Sequence, residues 1–125
     1  DLIIDFKTDG LFKHGIIEVK GTANRTELAQ LRQCISWADD YLLENKKSKP
    51  VFIINQAKSM AYPDSKLERQ KLDKTQEDFA RDRKICVIPT FVLFEALNKA
   101  LKGDRKTRSD LEKLIAGTDG VLTEL

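Results

Sequence analysis

The chain has 125 residues, of which 41% are hydrophobic and 34% charged, and this composition fits one globular domain with a single core. Its 22 basic and 20 acidic residues leave a net charge of +2, so no strong overall field attracts nucleic acid. No apolar run approaches the ~20 residues of a membrane span, and no signal-peptide pattern occurs within residues 1–125, although we expect any targeting signal to have been lost with residues upstream. We therefore expect a single domain over residues 1–125, with no membrane contact and with any polyanion site confined to a local patch.

The first residues and the two cysteines bear on the cellular context of the protein. The sequence opens inside "DLIIDFK", which already has the pattern of a strand, so we expect residues 1–125 to be the C-terminal part of a longer protein. Cys34 and Cys86 lie in apolar surroundings without CxxC or histidine spacing. This predicts reduced, buried thiols and a cytoplasmic protein.

The first two apolar segments predict a β-hairpin. "DLIIDFK" and "HGIIEVK" flank Asp9-Gly10, a dipeptide that suits a two-residue turn because both positions tolerate positive φ. With that turn, Thr8 faces Leu11 and Asp1 faces Glu18. One face of the hairpin is then apolar and available to helices, and it carries Leu2, Ile4, Phe6, Ile17 and Val19. The other face carries Asp1, Ile3, Asp5, Ile16, Glu18 and Lys20. A one-residue change in loop length would reverse these assignments.

The rest of the chain predicts alternating helices and strands. Asn24 and Glu27 resemble a capping box at the start of a helix of about five turns, which "KSKP" ends. "VFIIN" predicts a strand buried on both faces, joined to the hairpin by a right-handed crossover. Residues 56–74 predict a long polar loop with some helix at its end, and residues 75–84 a short helix. A fourth strand at "ICVIPT", a helix at 91–103 closed by Gly103, and a last helix at 107–117 follow. The predicted fold class is α/β: a three-layer arrangement with a mixed sheet of about four strands flanked by helices.

The polar face of the hairpin combines residues that suit phosphodiester hydrolysis. Glu18 and Lys20 lie two residues apart in a strand, on one face and roughly 6 to 7 Å from each other. Mg²⁺ prefers oxygen ligands and keeps several waters, so Asp1 and Glu18 together with a substrate phosphate suffice to hold it. An ammonium such as that of Lys20 beside a coordinated water favours hydroxide and stabilises charge building on phosphorus.

Asp1, a hairpin, Glu18-x-Lys20, Gly21 and a long helix together resemble the PD-(D/E)xK nuclease superfamily, which has the restriction-endonuclease-like fold. The order of elements is similar across nearly the whole chain. Gln33 and Trp37 in "QCISW" resemble the Gln-x-x-x-Tyr motif of the RecB-like branch, with Trp in place of Tyr, and one helical turn places both on one helix face.

The resemblance implies a role for each matching residue. Asp1 and Glu18 would be metal ligands for Mg²⁺ or Mn²⁺, together with the backbone carbonyl of Val19. Lys20 would activate or position the attacking water, and Gln33 would orient a water, a ligand or a phosphate oxygen. The resemblance therefore implies four catalytic residues, which are Asp1, Glu18, Lys20 and Gln33.

Other residues near the motif have competing interpretations. Asp5 is an alternative to Asp1 as a ligand, but the register places it opposite His14, two same-face pairs from Glu18. Trp37 suits the core as well as a contact role. His14 has no partner at ligand spacing, so we expect a structural or solvated histidine and not a general base.

Two stretches are candidates for binding phosphates. Between Asp64 and Lys84 acidic and basic residues alternate, which is typical of a solvated surface, although Lys66 and Arg69 are possible DNA contacts beside the site. A second basic cluster, Arg105, Lys106 and Arg108, has the alternative interpretation of a linker between helices.

The sequence thus predicts a metal-dependent nuclease that hydrolyses DNA phosphodiester bonds, an endonuclease of the restriction, repair or defence type by analogy. One alternative is an inactive nuclease-fold module that binds nucleic acid or a partner protein. Another is a structural or assembly domain. A homodimer is compatible with the main prediction, because cutting both strands of a duplex takes two sites.

Overall fold

A computed structural model of the protein describes residues 2–7, 10–21, 28–40, 48–55 and 72–125. Within these ranges the chain forms five strands and four helices. In chain order they are β1 (Leu2–Asp5), β2 (His14–Gly21), α1 (Leu28–Asp40), β3 (Ser48–Asn55), α2 (Lys74–Asp82), β4 (Cys86–Pro89), α3 (Thr90–Leu101), α4 (Arg108–Gly117) and β5 (Gly120–Val121).

The strands form one mixed sheet in the order β1-β2-β3-β4-β5. β1 is antiparallel to β2, and every other neighbouring pair is parallel. The α/β class and the mixed sheet are therefore confirmed. The expected strand number of about four is one short, because β5 has only two residues and pairs with the far edge of β4.

The predicted register of the hairpin is confirmed where the structure describes it. Leu2 pairs with Ile17 and Asp5 with His14, the pairs that a two-residue turn at residues 9–10 requires. The backbone N–H of Phe6 donates to the carbonyl of Lys13 at 2.9 Å, which continues the same pairing toward the turn. Residues 8 and 9, which include the first position of the expected turn, and Asp1, which we expected opposite Glu18, lie outside the described residues.

Helices cover both faces of the sheet. Successive residues of β3 point to opposite faces, and they pack against different helices. Phe52 and Ile54 are fully buried and belong to an apolar cluster with residues of α1 and α2. Val51 and Ile53 belong to a second cluster with residues of α3 and α4. This arrangement is compatible with three layers and gives the central strands a helix on each side.

β3 begins earlier than the sequence predicted. We expected a strand from Val51, but residues 48–50 already pair with β2, and Pro50 lies opposite Ile16. Pro50 is tolerated because β4 joins β3 only from Val51 onward, so among the described strands this part of β3 has β2 as its one neighbour. Residues 48–50, which we expected only to end the preceding helix, thus belong to β3.

The earlier start of β3 places a lysine inside the protein. The side chain of Lys49 is completely buried, and its ammonium donates to the carboxylate of Asp119, which precedes β5. The same ammonium lies 5.1 Å from the centre of the Phe12 ring. A buried charge needs such partners to offset the cost of leaving water.

The helix ends follow ordinary capping chemistry. α2 begins with a capping box in which Asp73 accepts from the N–H of Gln76 at 2.8 Å and donates its own N–H to the Gln76 side chain at 3.1 Å. α3 ends before Gly103, whose φ of +93° favours glycine, as predicted. The ends of α1, including the expected capping box of Asn24 and Glu27, lie outside the described residues.

α4 fixes the hairpin from the far end of the chain. The buried carboxylate of Glu112 accepts from the backbone N–H of Lys7 at 2.9 Å and from the guanidinium of Arg108. Arg108 also donates to the carbonyl of Asp5 at 3.2 Å. The end of β1 is therefore held by side chains of α4 as well as by its pairing with β2.

The apolar face of the hairpin is only partly covered. Ile4 and Ile17 pack in the cluster with α3 and α4, as expected. Leu2 and Val19, which we expected under helices, are more than half exposed to solvent. Both cysteines are free and buried, as predicted. Among the helices described, none has the length and apolar character to cross a membrane.

Candidate functional site

The candidate site lies in the second half of β2. Glu18 pairs with Phe52 and Lys20 with Ile54, so both side chains lie on the face covered by α1 and α2. β2 is parallel to β3, and the carboxyl ends of parallel strands are where open α/β sheets place their ligands. The strand thus brings the predicted acid and base together at a favourable edge.

Glu18 and Lys20 are in direct contact. The Lys20 ammonium lies 3.3 Å from Oε1 of Glu18. The Glu18 side chain is 7% exposed, whereas that of Lys20 is 37% exposed. Glu18 is therefore not a solvated residue at a strand end, since α1 covers this face.

The second carboxylate oxygen of Glu18 has no hydrogen-bond partner in the described part of the chain. Oε2 is buried, and no hydrogen-bond donor reaches it within the part of the chain that the structure describes. An unpaired buried carboxylate oxygen is costly, so Oε2 calls for a hydrogen-bond donor or a cation from outside the described residues.

The packing of α1 against β2 is visible at Cys34. The Cys34 thiol lies 3.6 Å from the carbonyl of Val51 and is close enough to Glu18 to sense its charge. Burial first, and then the negative charge of Glu18, raise the pKa of this thiol to about 12. The sequence interpretation missed this neighbour, although Leu31, Cys34 and Ala38 form the stripe of α1 that faces the sheet.

Gln33 and Trp37 both lie on α1, as predicted. Gln33 is exposed. Trp37 is half-buried, so its ring is neither fully enclosed in the core nor fully open to solvent. Gln33 precedes Cys34, the residue that reaches Glu18. Gln33 thus lies on the helix that covers the site, with its side chain open to solvent.

Asp5 is removed from Glu18. It pairs with His14, and Glu18 lies four residues further along β2. Its carboxylate contacts the ammonium of Lys7 at 3.1 Å and Nδ1 of His14 at 3.4 Å. The hydrogen bond from Lys7 lowers the pKa of Asp5. His14 is buried beside Asp5, which agrees with a structural histidine.

The remaining predicted site residues divide into three groups. Asp1, Lys66 and Arg69 lie outside the described residues. The Val19 side chain points to the opposite face from Glu18 and is exposed, so only its backbone carbonyl remains a candidate ligand. In the basic cluster, Arg108 is engaged by Glu112 and Arg105 donates to the carbonyl of Ala100, which favours a structural role for both.

Across the described ranges, no group of three or more His, Cys, Asp or Glu side chains is arranged to hold a metal ion. Glu18 is thus a single carboxylate there, and the second one predicted, Asp1, is outside those ranges. The comparisons add no relative, since no protein-family model, curated protein or solved structure matches the chain.

Proposed function

We propose that the protein is a Mg²⁺- or Mn²⁺-dependent nuclease that hydrolyses DNA phosphodiester bonds, with a restriction-endonuclease-like fold of the PD-(D/E)xK type. The observation that carries the proposal is the buried Glu18 carboxylate, which has an ammonium at one oxygen and, among the described residues, no partner at the other. Such a carboxylate is a suitable ligand for a hard cation.

The fit to a divalent cation rests on chemistry at Glu18. Carboxylate oxygens are the ligands that Mg²⁺ and Mn²⁺ prefer, and one or two carboxylates are enough when waters and phosphate complete the coordination. When bound, the metal supplies Lewis acidity toward the phosphate and a lower pKa for a coordinated water. Oε2 would gain the partner that it lacks.

The chain's own residues divide the remaining work. Glu18 holds a fixed, water-poor carboxylate at the strand edge, and Asp1 is the second ligand if the observed register of β1 continues by one residue. The ammonium of Lys20 stabilises negative charge developing on the phosphoryl oxygens and positions the attacking water. The Val19 carbonyl is a further ligand, and Gln33 orients a water or a phosphate oxygen from α1.

The overall arrangement of elements supports the same proposal. An antiparallel hairpin carries the acid and the base, a helix follows, and the next strand is parallel to the second strand of the hairpin. DNA would approach the edge where β2 ends, with Lys66 and Arg69 as proposed phosphate contacts.

The decisive experiment compares DNA cleavage by the wild type, Glu18→Gln and Lys20→Met. Supercoiled, linear and single-stranded DNA and an RNA are incubated with Mg²⁺ or Mn²⁺. The matched controls are Asp82→Asn, at the end of α2, and Lys102→Met, just after the end of α3, which both change exposed residues. We expect the controls to cut like the wild type and both site variants to lose at least about 100-fold in rate, the range for general acid–base groups. Equal cleavage by all five proteins would mean a contaminating nuclease.

A second candidate function is an inactive nuclease-fold module that binds nucleic acid or a partner protein. The Lys20–Glu18 ion pair favours it, because a carboxylate neutralised within the chain does not require a metal. DNA binding by the wild type without cleavage in any metal would support this alternative.

A further inference from the structure

We propose that the Lys20 ammonium pairs with the Glu18 carboxylate only while the site is free of metal, and that this ion pair breaks when a divalent cation binds. Lysine and metal would then compete for one side chain. This inference rests on the proposed metal-dependent function, and it concerns how that same site is regulated.

The two oxygens of Glu18 motivate the competition. Oε1 has the Lys20 ammonium at 3.3 Å, and Oε2 has no partner among the described residues. A buried carboxylate keeps its charge only when a cation or hydrogen-bond donors replace its lost water. Lys20 meets this need on one side only. A divalent cation would meet it more fully, and it would repel an ammonium bound to the same group.

The two side chains differ in their freedom to move. Glu18 is almost fully buried under α1, so its carboxylate is fixed in place. Lys20 is 37% exposed, lies next to the end of β2 and has a flexible four-carbon chain. Lys20 is therefore the partner that can leave. Once released it still lies on the same sheet face, where its ammonium is available to a substrate phosphate.

This arrangement couples two events. Metal loading frees the lysine, and a free lysine is the form that can stabilise charge on phosphorus. Without metal, the lysine holds the carboxylate in a neutral pair. The apparent affinity for metal is the intrinsic affinity multiplied by the fraction of molecules in which the pair is not formed.

The first test measures exposure of the Lys20 amine in the wild type by reductive methylation and mass spectrometry, with and without Mn²⁺. Two other lysines serve as internal controls. Lys49 has a completely buried side chain and should stay unmodified, whereas the Lys74 side chain is 87% exposed and should react equally in both conditions. We expect Lys20 to react several-fold faster with Mn²⁺. An unchanged or slower reaction would overturn the competition.

The second test compares Mn²⁺ binding by Lys20→Met, Lys20→Arg and the wild type, using calorimetry. Lys20→Met removes the competing charge and should bind at least about tenfold more tightly, a change equivalent to 1.4 kcal/mol. Lys20→Arg retains the charge and should bind like the wild type. Circular dichroism verifies that each variant is folded, and the labelling of the wild type remains decisive if a variant is not.

The outcomes separate this inference from the proposed function. If the wild type cuts DNA but Lys20→Met binds Mn²⁺ no more tightly, only the competition is overturned. If the wild type neither binds Mn²⁺ nor cuts DNA, the nuclease proposal and the competition are both overturned.

Discussion

The buried ion pair between Lys49 and Asp119 provides a sharp test of the fold. Replacing Asp119 by alanine leaves a completely buried ammonium without its counter-charge. Replacing Lys49 by methionine has a different consequence, because the Asp119 side chain is 39% exposed and water can take over part of its solvation. The two single variants should therefore differ strongly in stability.

The expected magnitude follows from the environment of each charge. Breaking a fully buried pair by removing one partner costs about 3 to 5 kcal/mol. The ring of Phe12, 5.1 Å from the ammonium, offsets part of this, so Asp119→Ala should lose about 2 to 4 kcal/mol. For a chain of this length that corresponds to a fall of roughly 8 to 16 °C in melting temperature. Lys49→Met keeps an apolar side chain of similar length, and its cost should stay within about 1 kcal/mol.

The assay is urea unfolding followed by circular dichroism, with the double variant Lys49→Met/Asp119→Ala completing a thermodynamic cycle. Asp78→Ala is the control, since its partner Lys74 is largely exposed and the unfolding midpoint should not change. The reasoning is refuted if Asp119→Ala costs less than about 1 kcal/mol, or if Lys49→Met costs as much as Asp119→Ala.

Three further predictions concern other parts of the fold. The hydrogen bond from Arg108 lowers the pKa of Glu112 below its usual 4.5, so this carboxylate stabilises the fold above pH 4.5 and the contribution is lost as pH falls through the lowered pKa. Melting temperatures measured from pH 7 to pH 2.5 should thus fall more steeply below pH 4.5 in the wild type than in Glu112→Gln, and parallel curves would contradict this. Lys84 has a left-handed backbone (φ 58°), so Lys84→Gly should raise the free energy of unfolding by about 0.5 to 1 kcal/mol, and a lower urea midpoint would exclude that relief of strain. Burial raises the pKa of both Cys34 and Cys86 to about 12, so a thiol reagent at pH 8 should modify them only after denaturation. Rapid modification of the native protein would disprove their burial.

The hairpin could be predicted from the sequence because its information is local. The Asp9-Gly10 signal and the alternation of apolar residues fix the pairing of β1 with β2, and the pairs from Leu2 to Asp5 agree. The juxtaposition of Glu18 and Lys20 follows from the two-residue period of a strand, so it too could be predicted from the sequence. The burial of Glu18 was not, because it depends on how α1 packs across the strand.

Features that depend on distant residues were missed. Lys49 and Pro50 have the local signature of a loop, and the partner that makes a buried Lys49 tolerable is 70 residues further along the chain. β5 is too short to show a pattern. It is defined by its pairing with β4, beside which the N–H of Gly120 donates to the carbonyl of Ile85, the residue before β4, and the N–H of Leu122 to that of Val87, both at 2.8 Å.

The contacts between α4 and the hairpin have a consequence for synthesis of the protein. The sequence of the hairpin is complete at residue 21, but the bonds from Glu112 and Arg108 to its backbone span 105 and 103 residues. A growing chain leaves the ribosome with the hairpin first and α4 only later. The hairpin, which carries the Glu18–Lys20 pair, thus acquires these two restraints only after α4 has been synthesised, and a nascent chain that stops before Arg108 lacks both.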